Sequence, residues 1–419
     1  MPQGLPAAYD VAAVRGLYTG LTEGGWTYLN AHAAPQVAER VSAGVARSFR
    51  MSTAVAVQEA SAGAHSAQLR PGLLEGDLAF ESARRAVADI CGAKADTVVL
   101  GPSLPVLYQS LARALGPLVR RNSSVVLSKL DPPALYSAFT EVDAEVRWAQ
   151  PDLGTGELPA FQYAELVDGS TRLASFSAAH ELLGTVTPTK EIIEKVRSRS
   201  RAWTLLDVTA LAPYRPIEFG DLGADILGLD LSQLGGPQMA ALVFRDTAMF
   251  RRLDALSPVN SEHTAQKIET PVSCGLAGGV GPLADHLASL AGGDRGSRRV
   301  RLHRSMESTQ TYMDELARDL YFYLDTLTAV HIIGVTGEAA AGASEDRIPR
   351  LTFAVNGVPA ATVHQRLFDN GLVTTLAPST PLLTEMGVDE IGGAVTVALG
   401  PFNTYHDIEH LVRVVASLA

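Results

Sequence analysis

GADILGLDLSQLGGPQMAALVFRD, residues 223–246, sets two short apolar runs, 226–229 and 239–244, on either side of a loop that holds Asp230, Ser232, Gln233 and a Gly-Gly-Pro turn. Each run has the length of a strand and no polar alternation, the pattern of a strand covered on both faces. Similar runs lie upstream at 97–100, 124–128, 144–148, 171–176 and 203–207. Between several of them fall helical patterns such as 105–115 and 188–198, the second opening with proline in its first turn after Thr187. Such alternation predicts an α/β fold with a mostly parallel sheet covered by helices, whose ligands sit at the carboxyl ends of the strands.

Downstream, residues 278–291 read as a helix, 292–296 as a break, and 297–326 as a long amphipathic helix leading into a smaller α+β region. That region carries strands at 350–355 and 394–399, a helix at 360–370 stopped by Gly371, and a closing helix near 404–417. The expected division is an N-terminal segment, 1–45, packing with the small domain, a large α/β domain over 46–295, and the small C-terminal domain over 296–419.

Composition supports a globular chain: 419 residues, 47% hydrophobic and 19% charged. No run approaches the ~18 apolar residues of a membrane span, and the first twenty residues lack the basic and apolar regions of a secretory signal. Two cysteines, Cys91 and Cys274, are too few for a disulfide framework, which fits a reducing cytoplasm. A net charge of −11 repels nucleic acid in bulk. Against it stands one basic island, Arg295, Arg298, Arg299, Arg301 and Arg304, which reads as a solvated helix face. His406 and His410 have a zinc-compatible i, i+4 spacing but no further ligand nearby, so no metal site is expected. Gly278, Gly279 and Gly281 form a weak glycine-loop pattern that helix packing or a bend explains equally well.

The motifs together resemble those of class V aminotransferases and cysteine desulfurases, the fold-type I pyridoxal-phosphate proteins. YLNAHAAP at 28–35 is similar to the family's Y-L-N-N-A-A-x-x-P, and ESARRAVADICGAKADTVVLGPS at 81–103 to its helix, strand and phosphate-loop run. LLGTVTPTKEI at 182–192 is similar to L-G-T-x-x-P-x-K-E-I, and FNTYHDIEHLV at 402–412 to the terminal Y-N-T-x-x-E-I-D-x-L. The resemblance implies a large domain with a seven-stranded, mostly parallel sheet, a smaller α+β domain, a homodimer and pyridoxal phosphate.

It also implies a site that this sequence alters. In the opening stretch Asp230, Ser232 and Gln233 stand where the family has Ser, His and the Schiff-base Lys. A carboxamide nitrogen is not nucleophilic and cannot replace that amine. Asp207 matches the aspartate under the pyridine nitrogen, and Ser103 and Ser232 remain as cofactor-binding candidates beside Asp207 and Gln233. Pro132 stands for the stacking histidine, Glu181 for an asparagine, Val272 for a phosphate-binding threonine and Thr396 for the arginine that holds a substrate carboxylate. The loop 373–381 lacks the desulfurase cysteine. Two unit charges ~4 Å apart repel by ~4 kcal/mol at an effective dielectric of 20, so an ionised Asp230 beside a phosphate is unfavourable.

No catalytic residue is therefore assigned. The reading expects a degenerate homologue, a pseudoenzyme that binds or scaffolds a protein partner, with pyridoxal phosphate implied by the resemblance alone. Asp207, Asp230 and Glu181 form an acidic set with no basic residue to set beside it, a pocket suited to a small cationic metabolite. The opposing reading is an active aminotransferase or desulfurase with a displaced lysine. The only lysines are Lys94, Lys129, Lys190, Lys195 and Lys267. Of these, Lys267 and Lys129 are the candidates.

Overall fold

The computed structural model describes residues 9–22, 24–56, 73–256, 264–293 and 295–418. A short strand, β1 (Thr27–Tyr28), precedes the large sheet, built from β2 (Val98–Gly101), β3 (Ser124–Ser128), β4 (Glu145–Ala149), β5 (Thr171–Ser177), β6 (Trp203–Asp207), β7 (Ile226–Asp230) and β8 (Ala240–Phe244). Their spatial order is β2-β8-β7-β6-β5-β3-β4, parallel throughout except for β8, which runs against both neighbours. This is the seven-stranded, mostly parallel sheet expected from the runs. Residues of β2, β3, β6 and β8 are buried along their whole length, as two-sided helical cover requires.

From β3 the chain goes out to β4 on one side and returns through β5 on the other, so the winding reverses between β3 and β5. At such a reversal the loops leaving the strand ends diverge and open a crevice. The loops after β3, β5, β6 and β7 meet there.

The C-terminal part forms a four-stranded antiparallel sheet in the order β12-β13-β10-β9, from β9 (Val330–Ile332), β10 (Arg350–Val355), β11 (Leu372–Val373), β12 (Thr375–Leu376) and β13 (Val395–Ala398), with β11 outside it. β11 pairs in parallel with β1, tying the N-terminal segment to this region. The helix Ala360–Asp369 ends before Gly371, whose φ of +80° is accessible to glycine with little strain.

The glycines near 278 are packing residues. The helix expected at 278–291 is Val280–Leu287, preceded by a short helix Cys274–Ala277, and both cross the helix Glu39–Met51 closely. A Cβ on Gly278 would lie 2.1 Å from Cβ of Ser48, so no larger residue fits without separating the helices. The basic island also differs from expectation. Arg298 and Arg299 open the helix Arg298–Asp325 and are half-buried, Arg298 paired with Asp89 at 2.6 Å and Arg299 with Glu218. They fasten that helix to the large domain, and partial burial makes such pairs stronger than solvated ones. No described helix is long and apolar enough to cross a membrane.

Candidate functional site

At the crevice lies a cavity of about 320 Å³ lined by residues that include Pro132, His180, Glu181, Asp207, Asp230, Gln233 and Arg350. Asp207 closes β6. Its Oδ1 accepts from Thr209 N at 2.8 Å, and the hydroxyl of Thr209 in turn accepts from Asp230 N at 3.0 Å. Burial raises the Asp207 carboxyl to about 6; the bonds from Thr209 oppose this, and the charges of Asp230 and Glu181 add to it. Behind it, Asp131 follows β3 and accepts from Ser177 N at 3.1 Å. Desolvation lifts this carboxyl to about 7, Ser177 opposing and Asp207 adding to the rise. Asp131 had no role in the sequence reading. Its signal was an aspartate three residues after an apolar strand, in the turn Leu130-Asp131-Pro132.

The altered positions separate into two groups. Pro132, Glu181 and Asp230 line the cavity with Gln233. Val272 and Thr396 do not: Val272 packs on the core, and Thr396 is buried with its hydroxyl 2.9 Å from that of Thr352. Ser103 and Ser232 are likewise absent from the lining. Ser103 caps the helix Leu104–Ala114 through Val106 N at 3.5 Å. Ser232 gives both its N–H and its hydroxyl to Asp230 Oδ1, at 2.9 and 2.7 Å. The Ser232 hydroxyl is therefore donated within its own turn, whereas the Ser103 hydroxyl accepts from its helix and keeps its proton to give.

Gln233 bridges three parts of the molecule. Its Nε2 donates to the carbonyl of His32 at 2.9 Å, and its Oε1 accepts from Arg350 Nη2 at 3.4 Å. The turn that follows needs its glycines: Gly235 has φ +74°, and a Cβ there would come within 2.4 Å of the Gln36 carbonyl oxygen. This fixes the loop against the N-terminal segment.

Arg350 corrects the expectation of a wholly acidic pocket. It opens β10, is 1% exposed, and donates from Nε to the Tyr214 hydroxyl at 3.0 Å with its guanidinium over that ring. No carboxylate lies within ion-pairing distance of it among the described residues. Thr352 and Thr396 are register partners on β10 and β13, and Arg350 stands two residues before Thr352 on the same face. Arg350 thus lies one strand over and one pleat along from Thr396. A sequence signal existed in RLTFAV, a strand whose first residue alone is charged.

His180 was also missed. It is buried, and its Nδ1 accepts from Leu182 N at 3.3 Å and Leu183 N at 3.1 Å. That pattern assigns the ring proton to Nε2, which has no hydrogen-bond partner among the described residues. Burial and then the Arg350 charge hold its pKa down at about 4, so the ring is neutral at pH 7.

Neither candidate lysine lines this cavity. Lys267 is buried and donates to the carbonyls of Phe250, at 3.1 Å, and Leu253. Lys129 is exposed and rests 4.1 Å from the centroid of the Trp148 ring. Lys94 and Lys190 are exposed, and Lys195 sits half-buried on the helix Thr189–Arg199. His410 bonds the Thr27 hydroxyl and His406 bonds Glu409, and no cluster of metal-ligating residues occurs among the described residues. A wider hollow of about 840 Å³ lies beside residues 340–347; of its several charged groups, Arg215 and Asp346 pair with each other.

Comparison with known proteins agrees with this architecture. The family profile described as Aminotransferase class-V matches residues 28–257. The uncharacterised protein MT3887 of Mycobacterium tuberculosis is 35% identical over 98% of this chain and 100% of its own length. The aminotransferase-like protein FGM3 of Gibberella zeae is 23% identical over 80% of this chain and 81% of its own. Among solved structures, the apo cysteine desulfurase of Thermococcus onnurineus superposes with a TM-score of 0.78 at 16% identity, covering 97% of both chains. The Escherichia coli cysteine desulfurase CsdA gives 0.76 at 16% identity over 97% and 98%.

Proposed function

We propose that this chain, which belongs to the class-V aminotransferase family, binds a small molecule non-covalently at the carboxyl ends of its large sheet and no longer performs its relatives' pyridoxal-phosphate chemistry. The observation that carries the reading is Gln233: its amide occupies the loop where the resemblance puts the Schiff-base lysine, and both ends of that amide are engaged, with His32 and Arg350. No lysine lines the cavity around it.

The family is dependent on pyridoxal phosphate, and the residues present do not fit that group. It needs an amine to condense with its aldehyde, and a carboxamide cannot serve. Its phosphate needs free hydroxyl and N–H donors. Ser232 already donates its hydroxyl to Asp230, and Asp230 offers a carboxylate. Asp207 alone matches the cofactor's requirements.

The test is direct. Purified protein incubated with pyridoxal phosphate at about 1 mM is expected to show no rise in melting temperature, since a ligand far above its Kd must stabilise the fold. It is also expected to keep no colour after borohydride reduction and dialysis. A covalently fixed chromophore would refute the reading. We further propose a homodimer, supported by the exposed apolar side chains Phe49, Met51, Val55 and Leu74 close to the helix crossing at Gly278. Light scattering on the eluting protein is expected to give twice the chain mass.

A further inference from the structure

We propose that the hollow beside residues 335–347 is a second binding site, one for a hydrophobic amine: a small molecule with an apolar body and a protonated amino group. It shares no lining residue with the cavity at the sheet ends and does not depend on the reading of Gln233. One wall is the helix Arg298–Asp325. Asp314, Ala317, Arg318, Tyr321, Phe322 and Asp325 recur at i, i+3 and i+4 spacing, so a single face of that helix looks into the hollow. The other wall is the segment between β9 and β10, where Val335, Ala340 and Ala343 stand. Small side chains there leave about 840 Å³, a volume inside the range of about 300–1,000 Å³ usual for small-molecule sites.

The segment is fastened without a ligand. Arg347 is buried and donates to the carbonyls of Gly334 at 2.9 Å and Leu183 at 3.2 Å, which ties the two ends of the segment together. Asp346 pairs with Arg215, and Ser344 N donates to Glu157 at 2.6 Å. A wall already in place costs less to bind against than one that must be ordered. Phe322 supplies the apolar attraction. It is 64% exposed, whereas Leu320 and Leu324 on either side of it are buried. An exposed ring lining a hollow is surface that an apolar body removes from water, and its face attracts a cation.

The charges in the lining decide the sign of the ligand. Arg215 is matched by Asp346, and Arg347 lies 3.7 Å from Glu157. Among the described residues Asp314, Asp325 and Glu345 have no cationic partner, and Arg318 alone of the lining guanidiniums has no carboxylate. Three carboxylates against one guanidinium favour a cation. An anion would face their repulsion, and a small polar cation would leave Phe322 in water. Apolar body and amine on one molecule answer both.

The experiment is calorimetric titration of the purified protein with 4-phenylbutylamine. Its controls are 4-phenylbutanol, 4-phenylbutyrate and methylamine, which lack the charge, reverse it and lack the apolar body. The amine is expected to bind more tightly than each control by about tenfold or more. Phe322→Ala is expected to weaken it about tenfold, and the double variant Asp325→Asn, Glu345→Gln several-fold. All three side chains are exposed, so the melting temperature should stay close to that of the wild type. Glu181→Gln, in the cavity at the sheet ends, is expected to leave the affinity unchanged. Loss of binding in Glu181→Gln with full affinity in Phe322→Ala would put the amine in that other cavity and overturn the inference. So would 4-phenylbutyrate binding as tightly as the amine, or no binding of the amine at about 10 mM. A fall in mass by light scattering for Phe322→Ala, with no amine bound by the wild type, would give this face to a protein contact and overturn it as well. Covalent capture of pyridoxal phosphate would defeat the proposed function alone, because it leaves these titrations as they are.

Discussion

At the ends of β6 and β7 the cavity presents Asp207 and Asp230, each restrained by hydrogen bonds within its own turn; into the same cavity β10 presents Arg350, restrained by a phenol and an amide. The two sides respond to burial in opposite ways. A carboxyl deprived of water takes up a proton, and Asp207 and Asp131 do so near pH 6 and pH 7. A guanidinium has no such escape. The acidic floor therefore adjusts its charge to what is bound, and the wall keeps a fixed one. An ammonium group entering the site would drive protons off the floor, which calorimetry in buffers of different ionisation enthalpy would detect as proton release.

The largest effect is expected on the wall. His180→Phe fills the space but leaves the Leu182 and Leu183 N–H groups without an acceptor, a loss of roughly 2–4 kcal/mol in urea unfolding. His180→Asn, which can still accept, should lose much less, and equal losses would show that packing rather than hydrogen bonding is what His180 supplies. Behind the floor, Asp131 has a folded pKa raised to about 7, so its ionised form destabilises the fold above that pH. The penalty fades as pH falls from about 7 towards the unfolded value near 4. Asp131→Asn keeps the acceptor for Ser177 N and removes the charge. It should be more stable than wild type by roughly 2–3 kcal/mol at pH 8, with the gap closing by about pH 4. A gap that widened on acidification would contradict the burial argument.

A smaller change is expected where floor and wall meet. Gln233→Lys sets an ammonium against the Arg350 guanidinium, a repulsion that should lower stability by roughly 1–2 kcal/mol after relaxation. Arg350→Gln in the same chain should recover most of that loss, which a double-mutant cycle measures. Gln233→Lys alone should restore no turnover of amino acids with pyridoxal phosphate, because Asp230, Pro132 and Thr396 remain; substantial turnover would show that the pocket is less altered than its residues indicate.

The large sheet was legible in the sequence because its strands are continuous apolar runs. 124–128 and 203–207 match β3 and β6 residue for residue, and the others end within a residue or so. The short strands β1, β9, β11 and β12 carry no such pattern. They exist through pairing with distant partners, a term local periodicity does not contain. The site divided in the same way. Asp207, Asp230 and Gln233 sit at the ends of legible strands. Arg350 comes from a different sheet over a hundred residues further on, and only tertiary packing brings it to Gln233. Ser103 and Ser232 start a helix and a turn, where the Ser103 hydroxyl accepts from Val106 N and the Ser232 hydroxyl donates to Asp230 Oδ1.

The pairing of β1 with β11 bears on how the chain is made. The Asn30 side chain meets Thr375, 345 residues away, and Gln233 and Asn403 hold the carbonyls of His32 and Tyr28. At a synthesis rate of about 5–20 residues per second, the N-terminal strand waits roughly 20–70 s on the ribosome before its partner emerges. The large sheet can form in that interval. Arg350 cannot take its place then, since β10 is made more than a hundred residues after β8, so the lining of the cavity is complete only after every strand of the large sheet has emerged.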